Sequence, residues 1–127
     1  MVMVTGGAYQ GKSAYVMRNF GIDEKDMADG RICSADEVMN VKCIKNYHLL
    51  VKRLGDRSIG FTQELCRMNP KAVVIIDEIG CGIVPMEKTE RAWRENVGRC
   101  GCIIAEKSEK VIRLVCGMPN VIKGVDT

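Results

Sequence analysis

The chain reads Thr5-Gly6-Gly7-Ala8-Tyr9-Gln10-Gly11-Lys12-Ser13 directly after a short apolar run at residues 1–4. This is the spacing G-x-x-x-x-G-K-S, which is typical of a P-loop, a segment between a strand and a helix that binds phosphates. Its glycines let successive backbone N–H groups turn toward phosphate oxygens, and the following helix presents its positive end to them. The motif therefore predicts a strand at residues 2–5 and a helix at residues 12–20.

Two side chains of the loop add charge and a metal ligand. Lys12 can reach the β- and γ-phosphates of a nucleoside triphosphate, and the Ser13 hydroxyl can coordinate Mg²⁺. We therefore expect Mg²⁺ together with GTP or ATP as the cofactor set. The residues predicted to bind the nucleotide are Gly6, Gly7, Ala8, Tyr9, Gln10, Gly11, Lys12, Ser13 and Asp77.

A second pair of candidate residues, Asp77 and Glu78, follows the β-branched run at residues 72–76. A carboxylate at the end of such a strand lies beside the phosphate-binding loop in doubly wound sheets. Asp77 is predicted to hold Mg²⁺ with Ser13, and Glu78 is predicted to orient a hydroxyl or to act as the catalytic base. The alternative is that the two carboxylates only cap the loop that follows.

The rest of the chain alternates between strand and helix patterns. Strands are predicted at residues 31–34, 72–76 and 110–116, the last of these as the final strand. A capping box at residues 34–37 is predicted to open a helix that continues to Gly55, because apolar residues recur there every three or four positions. A short helix around residues 61–68 and a longer one at about 86–107 complete the pattern. The fold class is a single α/β domain over residues 1–127, a three-layer P-loop NTPase-like arrangement with a mainly parallel sheet.

Composition narrows the class of protein. The chain has 127 residues, of which 46% are hydrophobic and 28% charged, as in ordinary globular domains. A net charge of +3 and an aromatic content of 5% give no basis for a nucleic-acid partner. No apolar run is long enough to span a membrane, and no signal peptide is expected ahead of the P-loop. Seven cysteines with irregular spacing indicate thiols in a reducing cytoplasm rather than a disulfide framework.

The second half of the chain carries a more specific signature. Residues 77–85 read Asp77-Glu78-Ile79-Gly80-Cys81-Gly82-Ile83-Val84-Pro85. This segment resembles the N-E-V-G-x-G-I-V-P signature of the adenosylcobinamide kinase / adenosylcobinamide-phosphate guanylyltransferase family. Asp77 stands where that pattern has Asn. Further matches lie at Arg91, Trp93, Arg94, Glu95, Gly98 and Arg99, at residues 111–119, and in the P-loop itself.

The resemblance implies a bifunctional enzyme of cobalamin biosynthesis. It would phosphorylate adenosylcobinamide, a corrinoid, with ATP or GTP, and would then transfer GMP from GTP to adenosylcobinamide phosphate. It also implies a homo-oligomer, a trimer in this family. His48, the only histidine, is the residue implied to accept GMP as a covalent phosphoramidate. A partly buried, structural histidine would produce the same sequence pattern, so both roles stay open.

Two other functions remain compatible with the sequence. The chain could be a kinase without the guanylyl transfer, or a kinase of another small molecule, with His48 structural. It could also be a nucleotide-binding regulatory protein, although nothing in the sequence marks a partner surface. Basic residues at 42, 45, 52 and 53 are predicted to lie on one helix and either to attract phosphate or to form a solvated face.

Overall fold

The computed structural model describes residues 1–8, 11–79 and 87–124. The β-strands and α-helices, in chain order, are β1 (Val2–Gly6), α1 (Lys12–Phe20), β2 (Met27–Asp29), β3 (Cys43–Lys45), α2 (Tyr47–Leu54), α3 (Ser58–Met68), β4 (Val73–Asp77), α4 (Lys88–Lys107), β5 (Lys110–Val115) and β6 (Met118–Lys123). Short 3₁₀ turns lie at Glu24–Asp26, Glu37–Met39 and Gly55–Arg57.

The six strands form one sheet in the order β2-β3-β4-β1-β5-β6. Every neighbouring pair is parallel except β5 and β6, which are antiparallel. Helices cover both faces, since α1 packs in one hydrophobic cluster and α2, α3 and α4 contribute to the other. The predicted fold class, an α/β domain of three layers with a mainly parallel sheet, is confirmed.

The central strands are apolar on both faces because both faces are covered by helices. In β4, Val73 and Ile75 pack toward α1, whereas Val74 and Ile76 pack toward the three-helix layer. All four side chains are buried. This two-sided burial explains the continuous β-branched run in the sequence, and it places the end of β4 in the middle of the molecule.

The helix after the P-loop begins and ends as the sequence predicts. Gly11, with φ of 80°, precedes α1, and Gly21, with φ of 63°, follows it. Both glycines have the left-handed backbone conformation that other residues rarely adopt. Val16 is the helix residue fully buried against the sheet, so a single apolar side anchors α1 over β1.

The long helix predicted after the capping box is wrong, because β3 interrupts it. Cys43 and Ile44 are consecutive and both fully buried, but they pack into the clusters on opposite faces of the sheet. Only a strand places neighbouring side chains on opposite faces. Asn46, with φ of 56°, then turns the chain into α2. The apolar residues on either side of the junction between β3 and α2 are spaced as in a helix, and this spacing led to the wrong prediction.

The capping box itself is present, although only a 3₁₀ turn follows it. The Glu37 amide donates to Ser34 Oγ at 3.2 Å, and the Ser34 amide donates to the Glu37 carboxylate at 3.3 Å. The strand predicted at residues 31–34 is also wrong. The second strand is β2, a few residues earlier, where Ala28 is buried and Met27 and Asp29 are half-buried.

The strand at residues 110–116 is confirmed as β5, but it is not the final one. Cys116 and Gly117, with φ of 51° and 77°, form a two-residue turn, and β6 returns along β5. Positive φ at both turn positions is typical of tight hairpins. The sequence does not predict β6, because this strand contains Pro119 and leaves Met118 and Ile122 exposed. An edge strand tolerates proline and buries few side chains.

Two absences hold for the part of the chain that the structure describes. No helix among these residues has the length and hydrophobicity needed to cross a bilayer. No disulfide joins the six cysteines within the described ranges.

Candidate active site

The candidate site lies where the carboxyl ends of β1 and β4 meet the start of α1. Gly6 and Asp77 are the last residues of their strands and pair with each other in the parallel register. A Cβ atom at Gly6 would lie 2.6 Å from the Leu114 carbonyl oxygen, and Gly6 also has φ of 147°. Only glycine fits there, so the turn out of β1 requires the first glycine of the P-loop.

The start of α1 has amide groups available for a ligand. Gly11 precedes the helix, and among the described residues no side chain caps the first turn. The first amides of a helix have no partner within it and carry the positive end of its dipole. Gly6, Gly7, Ala8, Gly11 and Ser13 therefore lie where the motif predicts, whereas Tyr9 and Gln10 lie outside the described residues.

Lys12 joins the P-loop to the end of β4. Its side chain is almost fully buried, with the residue 7% exposed. The ammonium donates to the Gly7 carbonyl at 2.6 Å and lies 2.8 Å from Asp77 Oδ1. A buried ammonium needs an opposite charge, and Asp77 supplies it. Lys12 of the P-loop and Asp77 at the end of β4 are thus in direct contact.

His48 also contacts Asp77, from the opposite side of the carboxylate. The Asp77 backbone N–H donates to His48 Nδ1 at 3.1 Å, and His48 Nε2 lies 3.5 Å from Asp77 Oδ2. Burial of the ring is the main cause that lowers the pKa of His48; the Asp77 charge opposes this effect and the Lys12 charge adds to it. The imidazole is therefore held neutral near pH 7.

Contacts on both sides of α2 fix the position of His48. The Asn46 side-chain amide donates to Asp29 Oδ1 at 2.9 Å, which ties the turn before α2 to the end of β2. From α4, Trp93 Nε1 donates to the His48 carbonyl at 2.8 Å. These two contacts hold the first turn of α2, which carries His48, against β2 on one side and α4 on the other.

These residues surround one cavity of about 530 Å³. Its lining comprises Ala8, Gly11, Lys12, Ser13, Ala14, Arg31, Asn46, His48, Leu49, Ile75 and Asp77. Six predicted site residues from three parts of the sequence thus line a single cavity: Ala8, Gly11, Lys12, Ser13, His48 and Asp77. Sequence reasoning missed Arg31 and Asn46. Asn46 had a usable signal, because asparagine is enriched at left-handed positions.

Glu78, the predicted catalytic base, does not line this cavity. Its carboxylate pairs with the Arg113 guanidinium through contacts of 2.6 and 3.3 Å. Arg113 is in β5, and the pair lies beside a different cavity, on the α4 side of the sheet. Asp77 lines both cavities, whereas Glu78, which follows the last residue of β4, lines only the second one.

The predicted basic helix is wrong as a single set. Lys42 precedes β3 and Lys45 ends it, so only Lys52 and Arg53 are on α2. Lys52 Nζ lies 4.7 Å from the centre of the Trp93 ring, and Arg53 donates to the Gly30 carbonyl at 2.9 Å. None of the four lines the P-loop cavity. The family segment at residues 80–85 lies outside the described residues.

This fold and cavity define a class: an α/β domain with a P-loop motif at the carboxyl edge of a mainly parallel sheet. The sequence model of one family, described as cobinamide kinase / cobinamide phosphate guanyltransferase, matches residues 38–122, and the chain belongs to this family. It is thereby placed among the kinase and guanyltransferase enzymes of cobalamin biosynthesis. The match includes His48 and Asp77 but not the P-loop. No curated protein matches the chain.

Proposed function

We propose that this protein phosphorylates adenosylcobinamide with ATP or GTP at the P-loop cavity. The observation that carries the proposal is the Lys12–Asp77 contact of 2.8 Å beneath the P-loop, in a member of a cobinamide kinase family. The donor amides of α1 and the Lys12 ammonium converge on this cavity. These are the groups that stabilise charge on a transferring phosphoryl group.

The cavity also suits Mg²⁺. The Ser13 hydroxyl and the Asp77 carboxylate both line it, and oxygen ligands of this kind are the ones that Mg²⁺ prefers. When bound, the ion would supply positive charge to the β- and γ-phosphate oxygens. Lys12 would exchange its contacts with Gly7 and Asp77 for the phosphates. The substrate hydroxyl would attack the γ-phosphorus as the bond from that phosphorus to the β-phosphate oxygen breaks, so that ADP or GDP leaves and the hydroxyl proton passes to solvent.

Guanylyl transfer through His48 is the second candidate activity. His48 is the only histidine in the chain, it lines the P-loop cavity, and burial favours its neutral form. A neutral imidazole is the form that attacks phosphorus. The arrangement of its two nitrogens, however, favours the kinase without this second step. We also propose that the enzyme is a trimer, that it is cytoplasmic, and that it acts as a single nucleotide-binding domain.

The test is phosphate transfer from γ-labelled ATP and GTP to adenosylcobinamide. Lys12→Met should abolish the reaction, because loss of one such charge typically costs 100-fold or more in rate, about 3 kcal/mol. The matched control is Lys25→Met, since the Lys25 side chain is 81% exposed and 3.9 Å from its nearest carboxylate. Full turnover by Lys12→Met would disprove the assignment. Transfer by the unmutated protein only to another alcohol would identify a different small-molecule kinase.

A further inference from the structure

We propose that His48 is a positioning residue that orients the Asp77 carboxylate, rather than a nucleophile. The inference rests on the proposed kinase function, because it assigns Asp77 to the phosphoryl-transfer site. Each oxygen of the carboxylate has its own neighbour: Oδ1 lies 2.8 Å from Lys12 Nζ, and Oδ2 lies 3.5 Å from His48 Nε2. The Asp77 amide is held by the same imidazole.

The hydrogen bond at Nδ1 determines where the ring carries its proton. The Asp77 N–H is a donor, so Nδ1 accepts with its in-plane lone pair. In a neutral imidazole one nitrogen accepts and the other carries hydrogen. The proton is therefore on Nε2, which lies 3.5 Å from Asp77 Oδ2, close enough for electrostatic attraction but without a hydrogen bond. The imidazole thus holds Asp77 through the main-chain N–H, and its protonated nitrogen lies near the carboxylate.

The same tautomer leaves His48 without a nucleophilic lone pair. Attack on phosphorus needs an unprotonated nitrogen whose in-plane lone pair faces the phosphate. The lone pair of Nδ1 is engaged by the Asp77 amide, and Nε2 carries the proton. Moving the proton to Nδ1 would place two donors against each other. Turning the ring away would remove the partner of a backbone amide at the end of a central strand.

Burial and the contact from α4 hold the residue in this arrangement. His48 is 6% exposed, and its carbonyl accepts from Trp93 Nε1 at 2.8 Å. A rotation of α2 that freed the ring would also break that bond. Asp77 is thus held at its carboxylate by α1 through Lys12 and at its main-chain amide by α2 through His48.

Three measurements test the proposal, and the first does not depend on activity. Because the chain has one histidine, long-range ¹H–¹⁵N NMR of protein labelled in its histidine ring, recorded at pH 8, gives the signals of His48 alone. We expect a ring protonated at Nε2 and unprotonated at Nδ1. A ring protonated at Nδ1, or one averaged between tautomers, would overturn the proposal even if the protein proved to have no kinase activity.

The second measurement compares His48→Ala with His48→Asn. The asparagine oxygen occupies the place of Nδ1 and can accept from the Asp77 amide, whereas alanine cannot. We expect at least a 10-fold loss of kcat and a raised Mg²⁺ requirement in the alanine variant, with most of both recovered in the asparagine variant. Binding of ATP at several Mg²⁺ concentrations, measured by calorimetry, gives the same comparison without turnover.

Labelling with α-labelled GTP tests the alternative, in which His48 is the nucleophile that accepts GMP. We expect no acid-labile label on the unmutated protein. Acid-labile label that is absent from both His48 variants would establish His48 as the nucleophile and overturn the proposal. Unchanged Mg²⁺ dependence in His48→Ala, for turnover and for ATP binding alike, would overturn it as well.

Discussion

Asp77 and Glu78 are adjacent in the chain, but they have different surroundings. Asp77 faces the P-loop cavity and contacts Lys12 and His48. Glu78 pairs with Arg113 in β5, and its own side chain is one-third exposed. Of the two carboxylates, Asp77 is the one that lines the P-loop cavity, and the role expected for Glu78 from the sequence depends on a cavity that it does not line.

The first prediction compares the two isosteric amides. Asp77→Asn removes the charge beside Lys12, so we expect the Mg²⁺ requirement to rise markedly and kcat to fall at least 10-fold. Glu78→Gln should change kcat less than threefold, because it weakens only a partly exposed ion pair. Mg²⁺ titrations of kinase activity measure both effects. A larger loss in Glu78→Gln than in Asp77→Asn would restore Glu78 as the catalytic base.

At the residue scale, the sequence predicted much of the site because its chemistry is local. The P-loop spacing located Lys12 and Ser13, and a carboxylate after a buried run located Asp77. The pairing of Glu78 with Arg113 of β5 depends on the folded sheet. The hydrogen bond from the Asp77 amide to His48 joins residues far apart in the chain, and no local pattern announces it.

At the scale of the secondary-structure elements, α4 contains a glycine, Gly98, at a position where a larger side chain would also fit. Gly98 lies within α4 and is exposed, and a Cβ atom built there meets nothing within 4 Å. Gly6, at the end of β1, is its opposite, with φ of 147° and a Cβ position 2.6 Å from the Leu114 oxygen. A substitution at Gly98 therefore tests the effect of conformational entropy alone, whereas a substitution at Gly6 tests the effect of a steric clash.

The second prediction uses this contrast. Gly98→Ala should raise the free energy of unfolding by about 0.5–1 kcal/mol, because alanine restricts the unfolded chain and favours the helix. Gly6→Ala should lower it by about 1–3 kcal/mol, through backbone strain and the clash with β5. Urea unfolding at constant m-value measures both changes. If Gly98→Ala destabilised the protein as much as Gly6→Ala, the description of Gly98 as surrounded by open space would be wrong.

The elements that the sequence located well are those with strong local signals. α1 lies between two glycines, and β4 is a dense β-branched run with helices on both faces. The weakly marked elements are β2 and β3, each three residues long. Their partners in the sheet, rather than their own propensity, make them strands. Residues this few cannot display the alternation that would distinguish a strand from a turn of helix.

For the whole molecule, the fold class followed from alternating strand and helix patterns, but the edges of the sheet did not. β2 and β6 are the edge strands, and both were misplaced or missed. An edge strand buries fewer side chains than a central one, so its sequence carries less hydrophobic pattern. Three of the four interior strands, β1, β4 and β5, were predicted within one residue at each end, and the candidate site lies at the carboxyl ends of β1 and β4.

The position of β1 in the sheet has a consequence for how the protein acquires its fold. β1 lies between β4 and β5, and Val2 pairs with both Val73 and Lys110. Both neighbours are synthesised after β1, so the chain cannot pair both edges of this strand until β5 has been made. Because such distant pairings slow folding, we expect truncated chains ending before residue 110 to remain sensitive to protease, and chains that include β6 to become resistant. Resistance in the shorter chains would mean that β4 alone suffices to shelter β1.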